Sequence, residues 1–267
     1  MLMVVSCVVL LALAILYVTG MSESAQQQIG QKAENEAQET AVEAELTENS
    51  QAETETMAES SQVEAVDDVD AFYHMPLTDE FKEYITGRSY PDTDEPLQIS
   101  YEDLAYVHVL HYDFEGQIQE GELICNQAIA QDLTEIFKEL YDNQYPIEKI
   151  RLIDAYDADD DASMEDNNTS CFNYRVVEGK TTLSNHSYGL AIDVNPFYNP
   201  YVRTKDGNTL VSPEDAVPYA DRSADFPYKI DENDLCCQLF AEHGFTWGGN
   251  WNSVKDYQHF EKVIKEQ

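Results

Sequence analysis

Basic residues are scarce in this chain, and their scarcity narrows its possible partners. The 267 residues include 52 acidic side chains but only 15 Lys and Arg, which gives a formal net charge of −37. Nucleic acid is therefore not an expected partner, because binding it requires a basic surface that neutralises phosphates. The acidic excess favours solubility but carries no information about the fold.

Cysteine pairs with CxxC spacing are also missing. None of the five Cys residues belongs to a CxxC pair, so a cysteine-ligated zinc site is not expected. Cys125, Cys171, Cys236 and Cys237 allow three disulfide pairings, and the sequence does not choose among them. Because Cys236 and Cys237 lie in a predicted helix, we expect at least one of them to pack as a small buried hydrophobe.

Charge is absent from residues 1–19, and aromatic residues and proline are absent from residues 21–70. The first stretch is about long enough to cross a bilayer, which predicts a membrane anchor or a signal segment over residues 1–20. The second carries fourteen acidic residues and one base. It cannot bury enough apolar surface to offset its chain entropy, so we expect a disordered acidic linker before a folded domain at 71–267.

The folded part mixes helix and strand signals without regular alternation. Apolar periodicity predicts helices at 78–87, 129–143 and 232–245, strands at 103–116, 122–129, 147–156, 171–177 and 191–196, and further strands around TWGG and YQHFEKV. This mixture predicts an α+β domain with a mainly antiparallel sheet and flanking helices.

Residues 157–170 are predicted to form a polar loop. Asp157, Asp159 and Asp161 have the spacing that begins a calcium-binding loop. Such a loop needs Gly at its sixth position and Glu at its twelfth, where this chain has Ala162 and Asn168. The segment is therefore interpreted as solvated rather than calcium-binding.

Two short segments in the C-terminal third offer metal ligands. SNHSYGLAIDVNP contains His186 and Asp193, and WGGNWNSVKDYQHFE contains His259 with Asp256 three residues before it. Two imidazoles and one carboxylate, with a fourth position open to water, form the ligand set of a catalytic zinc ion. A neighbouring carboxylate that binds no metal can deprotonate that water, so the set predicts metal-assisted hydrolysis.

These segments resemble the zinc D-Ala-D-Ala carboxypeptidases and L-alanyl-D-glutamate endopeptidases of peptidoglycan metabolism. That family shares the fold of the Hedgehog signalling domain and of the vancomycin-resistance D,D-dipeptidases. Its pattern SxHxxGxAxD is present at 184–193 and its DxxH at 256–259, and the resemblance covers about residues 100–264. It implies a Hedgehog/DD-peptidase-like domain that binds one Zn²⁺.

By this resemblance, His186, Asp193 and His259 are the zinc ligands and Asp256 is the general base. A second possible role for Asp256 is to accept a hydrogen bond that orients His259. Ser184 is expected either to contact substrate or to support the loop that carries His186, here called the metal loop.

A substrate with a free carboxylate needs a cation to hold it, and Arg binds carboxylates in a bidentate fork. Arg175 resembles an Arg that one branch of the family carries just upstream of the first ligand. Arg151 has a spacing nearer that of other branches; of the two, Arg175 is preferred. Aromatic candidates for lining the substrate groove are Tyr188 and Trp247, with Tyr174 and Trp251.

The resemblance implies a peptidoglycan peptidase of the bacterial cell envelope, either anchored by its N-terminus or secreted, and we expect a monomer. A D-alanyl-D-alanine carboxypeptidase is the preferred subtype. An L-alanyl-D-glutamate-type endopeptidase and a non-catalytic, zinc-stabilised binding module are the alternatives.

Overall fold

The structure is a computed structural model that describes residues 71–177 and 180–264, apart from the side chain of Lys205. The predicted anchor at 1–20 and the predicted linker at 21–70 lie outside these ranges. Within them, no helix is both long enough and apolar enough to span a membrane.

Short strands and four α-helices alternate irregularly along the described chain. The strands are β1 (Tyr73–Pro76), β2 (Leu104–Tyr112), β3 (Ile118–Asn126), β4 (Lys149–Ile150), β5 (Asn168–Thr169), β6 (Ala191–Asp193), β7 (Tyr201–Lys205), β8 (Asn208–Ser212), β9 (Thr246–Trp247), β10 (Lys255–Asp256) and β11 (His259–Glu261). The helices are α1 (Asp79–Ile85), α2 (Gln127–Asp142), α3 (Asp160–Glu165) and α4 (Leu235–Glu242). Short 3₁₀ helices cover Tyr101–Asp103, Ile153–Tyr156, Asn185–Tyr188, Glu214–Tyr219 and Gly248–Asn250.

The first sheet, in the order β1-β2-β3, is antiparallel and is covered on both faces. Successive side chains of a strand point to opposite faces. Val107 and Val109 of β2 therefore enter the main core with α2, whereas Tyr106 enters a second cluster with Ile85 of α1. The hairpin turns at Gly116, whose φ of 75° lies in the left-handed region that glycine tolerates best.

A second antiparallel sheet, in the order β6-β11-β9, positions the predicted metal ligands. Ile192 pairs with Phe260, and both are buried in the main core beside α2 and α4. The next pair in register is Asp193 with His259. Because side chains alternate along a strand, this pair points away from the core and its two polar side chains come together.

The α+β class with mainly antiparallel sheets is confirmed. Helix α1 begins after Thr78, whose hydroxyl accepts a hydrogen bond from the Phe81 backbone N–H, and Gly87 follows it with a φ of 81°. The four cysteines of the described ranges are free and buried. The prediction that Cys236 or Cys237 packs as a buried hydrophobe is confirmed for both.

Three predicted segments were wrong in form. The strand expected at 147–156 is only β4, because the chain turns into a 3₁₀ helix after Leu152. No strand forms at 171–177, where Phe172 and Tyr174 donate single backbone hydrogen bonds to Ile124 and to Ser89. The polar loop at 157–170 instead contains α3 and β5.

Helix α3 explains the aspartate spacing in that segment. Asp159 is its N-cap, and its carboxylate accepts a hydrogen bond of 3.1 Å from the backbone N–H of Ala162. An acceptor at the N-cap satisfies one of the backbone donors that a helix leaves unpaired. Asp159 and Asp160 therefore mark the start of a helix.

Candidate metal centre

The first histidine lies on a tight loop between Ser184 and Gly189. The Ser184 hydroxyl caps the 3₁₀ turn and accepts from the His186 backbone N–H at 3.3 Å. Gly189 ends the turn with a φ of 64°, and a Cβ atom there would lie 2.5 Å from the backbone nitrogen of Asn126. Both the left-handed backbone and the close approach to β3 require glycine at this position.

Three buried side chains converge where this loop meets β6 and β11. The Nε2 atom of His186 lies 3.2 Å from Asp193 Oδ2 and 3.2 Å from His259 Nδ1, and His259 Nδ1 lies 3.0 Å from Asp193 Oδ1. One ligand atom from each side chain lies within 4.8 Å of the other two. This His-Asp-His group could hold a metal ion.

Each imidazole is oriented through the ring nitrogen that faces away from the cluster. His186 Nδ1 lies 2.6 Å from the carbonyl oxygen of Cys171, so it is the protonated nitrogen and leaves Nε2 as a lone-pair donor. His259 Nε2 lies 3.2 Å from Glu261 Oε2. Histidines that bind zinc typically donate their second N–H to a carbonyl or a carboxylate, so the donor set and its surroundings fit zinc.

The charges of the cluster stabilise one another. Burial alone would raise the pKa of Asp193, but His186 and His259 outweigh it and hold that pKa far below its usual range. Burial would lower the pKa of His259, but the carboxylates of Asp193 and Glu261 outweigh it and raise that pKa to about 10. The site is thus built to concentrate negative charge around its imidazoles, which favours a cation.

Asp256 occupies a different environment beside the same cluster. Its Oδ1 atom is buried and has no hydrogen-bond partner within the described residues. Burial, with the charge of Asp193, raises the pKa of Asp256 to about 7, although His259 and His186 oppose the shift. A Cβ atom on Gly248 would lie 2.8 Å from the Cβ of Asp256 and 3.3 Å from that of His259. Glycine at this position therefore lets both residues pack against its backbone.

Glu261 was missed by sequence reasoning. Its Oε2 atom faces His259 and also accepts a hydrogen bond of 2.6 Å from Asn185 Nδ2, so one carboxylate joins the loop of His186 to the strand of His259. The acceptor that faces His259 Nε2 is therefore Glu261 and not Asp256. The usable signal was the strand period, since residues two apart share a face.

The two candidate arginines lie in different places. Arg175 is tied to the metal loop through Ser187, whose hydroxyl accepts from the Arg175 backbone N–H at 2.9 Å and donates to its carbonyl at 2.7 Å. Its Nη2 atom pairs with Asp160 Oδ2 at 2.7 Å. Arg151 is exposed and lines a separate cavity with Glu80 and Tyr84. No contact within the described ranges brings Arg151 to the His-Asp-His group.

The aromatic candidates also lie in different places. Tyr188 donates a hydrogen bond to Gln98, and Trp247 donates from Nε1 to the carbonyl of Tyr257 at 2.9 Å while packing on the core. The ring of Trp251 lies 5.2 Å from that of His259, measured between centroids. Trp251 is therefore the aromatic candidate that contacts the His-Asp-His group, through His259, whereas Trp247 packs against the main core.

Comparison with known families agrees with this geometry. Residues 178–262 match the family described as D-alanyl-D-alanine carboxypeptidase. The match contains the His-Asp-His group, Asp256 and Glu261, and it confirms the resemblance drawn from the sequence. This region is therefore similar to the peptidase domains of a zinc-dependent family. Arg175 and α3 precede the matched residues. No solved structure matches the chain.

Proposed function

We propose that this protein is a zinc-dependent peptidase that trims peptidoglycan stem peptides as a D-alanyl-D-alanine carboxypeptidase. The observation that carries the proposal is the buried His-Asp-His group with the unpartnered carboxylate oxygen of Asp256 beside it. The family match supports the reaction class.

His186, Asp193 and His259 would hold the zinc ion, which when bound polarises a scissile carbonyl and increases the acidity of water. Asp256 takes the proton of the attacking water and returns it to the nitrogen of the leaving amine. Burial raises the pKa of the Asp256 carboxyl group, and a raised pKa makes this group a better acceptor for the proton of water.

Arg175 supplies the positive charge that a carboxypeptidase needs for the terminal carboxylate. Its backbone is fixed to the loop that carries His186, and its side chain is about one-third exposed. A guanidinium offers five N–H donors, and the ion pair with Asp160 engages one nitrogen, Nη2. Donors therefore remain for a substrate carboxylate.

We also propose that the protein works outside the cytoplasm as a monomer, anchored by its N-terminal segment or secreted. The support is the uncharged stretch at residues 1–19 and the acidic, aromatic-free stretch that follows it. The substrate class itself belongs to the cell envelope.

The test incubates the zinc-loaded protein with a peptidoglycan pentapeptide and identifies products by mass spectrometry. Loss of one terminal alanine is the expected result, and Asp256→Asn should abolish it while zinc stays bound. Asp215→Asn, at an exposed aspartate of the 3₁₀ helix Glu214–Tyr219, is the matched control. Cleavage inside the stem would replace the carboxypeptidase with the endopeptidase, and stoichiometric zinc without any cleavage would favour a binding module.

A further inference from the structure

Helix α3 lies against the surroundings of the metal site at two points. At its first residue, Asp160 pairs with Arg175 of the chain that leads to the metal loop. One turn later, the sulfur of Met164 accepts a hydrogen bond of 3.4 Å from Gln258 Nε2, one residue before His259. The helix therefore bridges the two segments that deliver the histidines.

The ion pair between Asp160 and Arg175 is close and partly shielded. The distance from Arg175 Nη2 to Asp160 Oδ2 is 2.7 Å, and the two side chains are 30% and 29% exposed. The charges of Asp193 and His186 also act on Asp160, so the pair lies within electrostatic reach of the cluster. Ser187 fixes the backbone of Arg175 and Asp160 fixes its guanidinium, so the side chain is held at both ends.

The guanidinium is held but not saturated. Its Nε atom is buried and has no hydrogen-bond partner within the described residues. A buried donor without a partner costs free energy unless another group satisfies it. Asp160 pairs with Nη2 and leaves Nε unpaired, so the ion pair orients the guanidinium without using all of its donors.

We propose that Asp160 is a positioning residue that orients Arg175 to receive the free carboxylate of the peptide substrate. This inference rests on the proposed function, and it assigns specificity for carboxylate-terminated peptides to a pair of residues that both precede the matched family region. A competing role, in which Asp160 blocks the guanidinium, predicts the opposite effect of its removal.

The kinetic test uses the full, zinc-loaded chain with Asp160→Asn. The control is Asp161→Asn, which makes the same change one residue further along α3, where the carboxylate contacts Ser212 at 3.4 Å. For an acetylated peptide ending in D-Ala-D-Ala, Asp160→Asn should raise KM about tenfold, the loss expected when one charge-assisted contact is misplaced, and leave kcat within about twofold. For the C-terminal amide of that peptide, KM should not change.

A lower or unchanged KM for the acid, or an equal rise for the amide, would overturn the inference. The double variant Asp160→Asn/Arg175→Lys should have nearly the same KM as Arg175→Lys alone, because Asp160 acts through the guanidinium that the Lys variant already lacks. Zinc content, measured on every variant, should stay at one per chain.

A second readout does not depend on turnover. The Nε–H signal of Arg175 in nitrogen-15 spectra, assigned by its loss in Arg175→Lys, should shift in Asp160→Asn and respond less to added N-acetyl-D-alanine. Asp161→Asn should leave the signal and its response as in the parent protein. If no peptide is cleaved but this pattern holds, the proposed function fails and the positioning role stands. If Asp160→Asn leaves the signal unmoved, the positioning role fails whatever the activity.

Discussion

Replacing Glu261 should weaken the metal site although this residue is not predicted to bind metal. Its Oε2 atom is 3.2 Å from His259 Nε2 and 2.6 Å from Asn185 Nδ2. Glu261→Gln keeps an oxygen there but removes the charge, and carboxylates that support metal-binding histidines typically contribute 10- to 100-fold in affinity, or about 1.4–2.7 kcal/mol. Glu261→Ala removes both contacts and should reach the upper end of that range.

The measurement is competition for zinc against a chromophoric chelator, with Glu242→Gln at the exposed end of α4 as the control. Loss of Glu261 also lowers the pKa of His259, since this carboxylate helps to raise it, and protons then compete less with the metal. The affinity loss should therefore grow between about pH 7 and pH 9. An affinity of Glu261→Ala within twofold of the parent protein at both pH values would refute the reasoning.

Three further predictions concern stability. Gly116→Ala should lower the free energy of unfolding by about 1 kcal/mol, because its left-handed backbone is strained with any other residue. Gly189→Ala adds a clash with Asn126 to the same strain and should lower it by at least about 3 kcal/mol. Equal losses of the two variants in urea unfolding would contradict the clash. Burial raises the pKa of Asp154 against the opposing hydrogen bonds from Ser89, so its contribution to stability is present below about pH 4 and is lost as pH rises through its folded pKa. Asp154→Asn should therefore gain stability relative to the parent protein from about pH 4 to pH 7, and a constant difference would contradict this. Removing zinc supplied at a hundred times its Kd should lower the free energy of unfolding by about 2.7 kcal/mol, measured as a fall in Tm, and Asp193→Ala should abolish the difference.

The parts of the fold that could be predicted are those whose own sequence carries the signal. The side chains of β2 alternate between two apolar clusters, so its sequence alternates as well, and the candidate metal ligands belong to a motif with fixed spacing. Helix α3 has too few apolar residues to show a helical period, and contacts with Arg175 and Gln258 stabilise it instead. The segment 171–177 alternates like a strand but makes only isolated backbone contacts, of Phe172 with Ile124 of β3 and of Val176 with Leu183, and no continuous ladder.

The matched family region and the rest of the described domain divide the chemistry between them. Residues 178–262 hold the His-Asp-His group and Asp256, which we propose bind zinc and move a proton, and these requirements are the same for a carboxypeptidase and an endopeptidase. What separates the two is whether a cation meets a free carboxylate, and both members of the Asp160–Arg175 pair lie before residue 178. Exchanging that pair for Asn and Leu should therefore reduce discrimination between the acid and the amide of one peptide while leaving zinc affinity intact. If discrimination persists, the terminal carboxylate is recognised by another group, and the carboxypeptidase assignment no longer depends on Arg175.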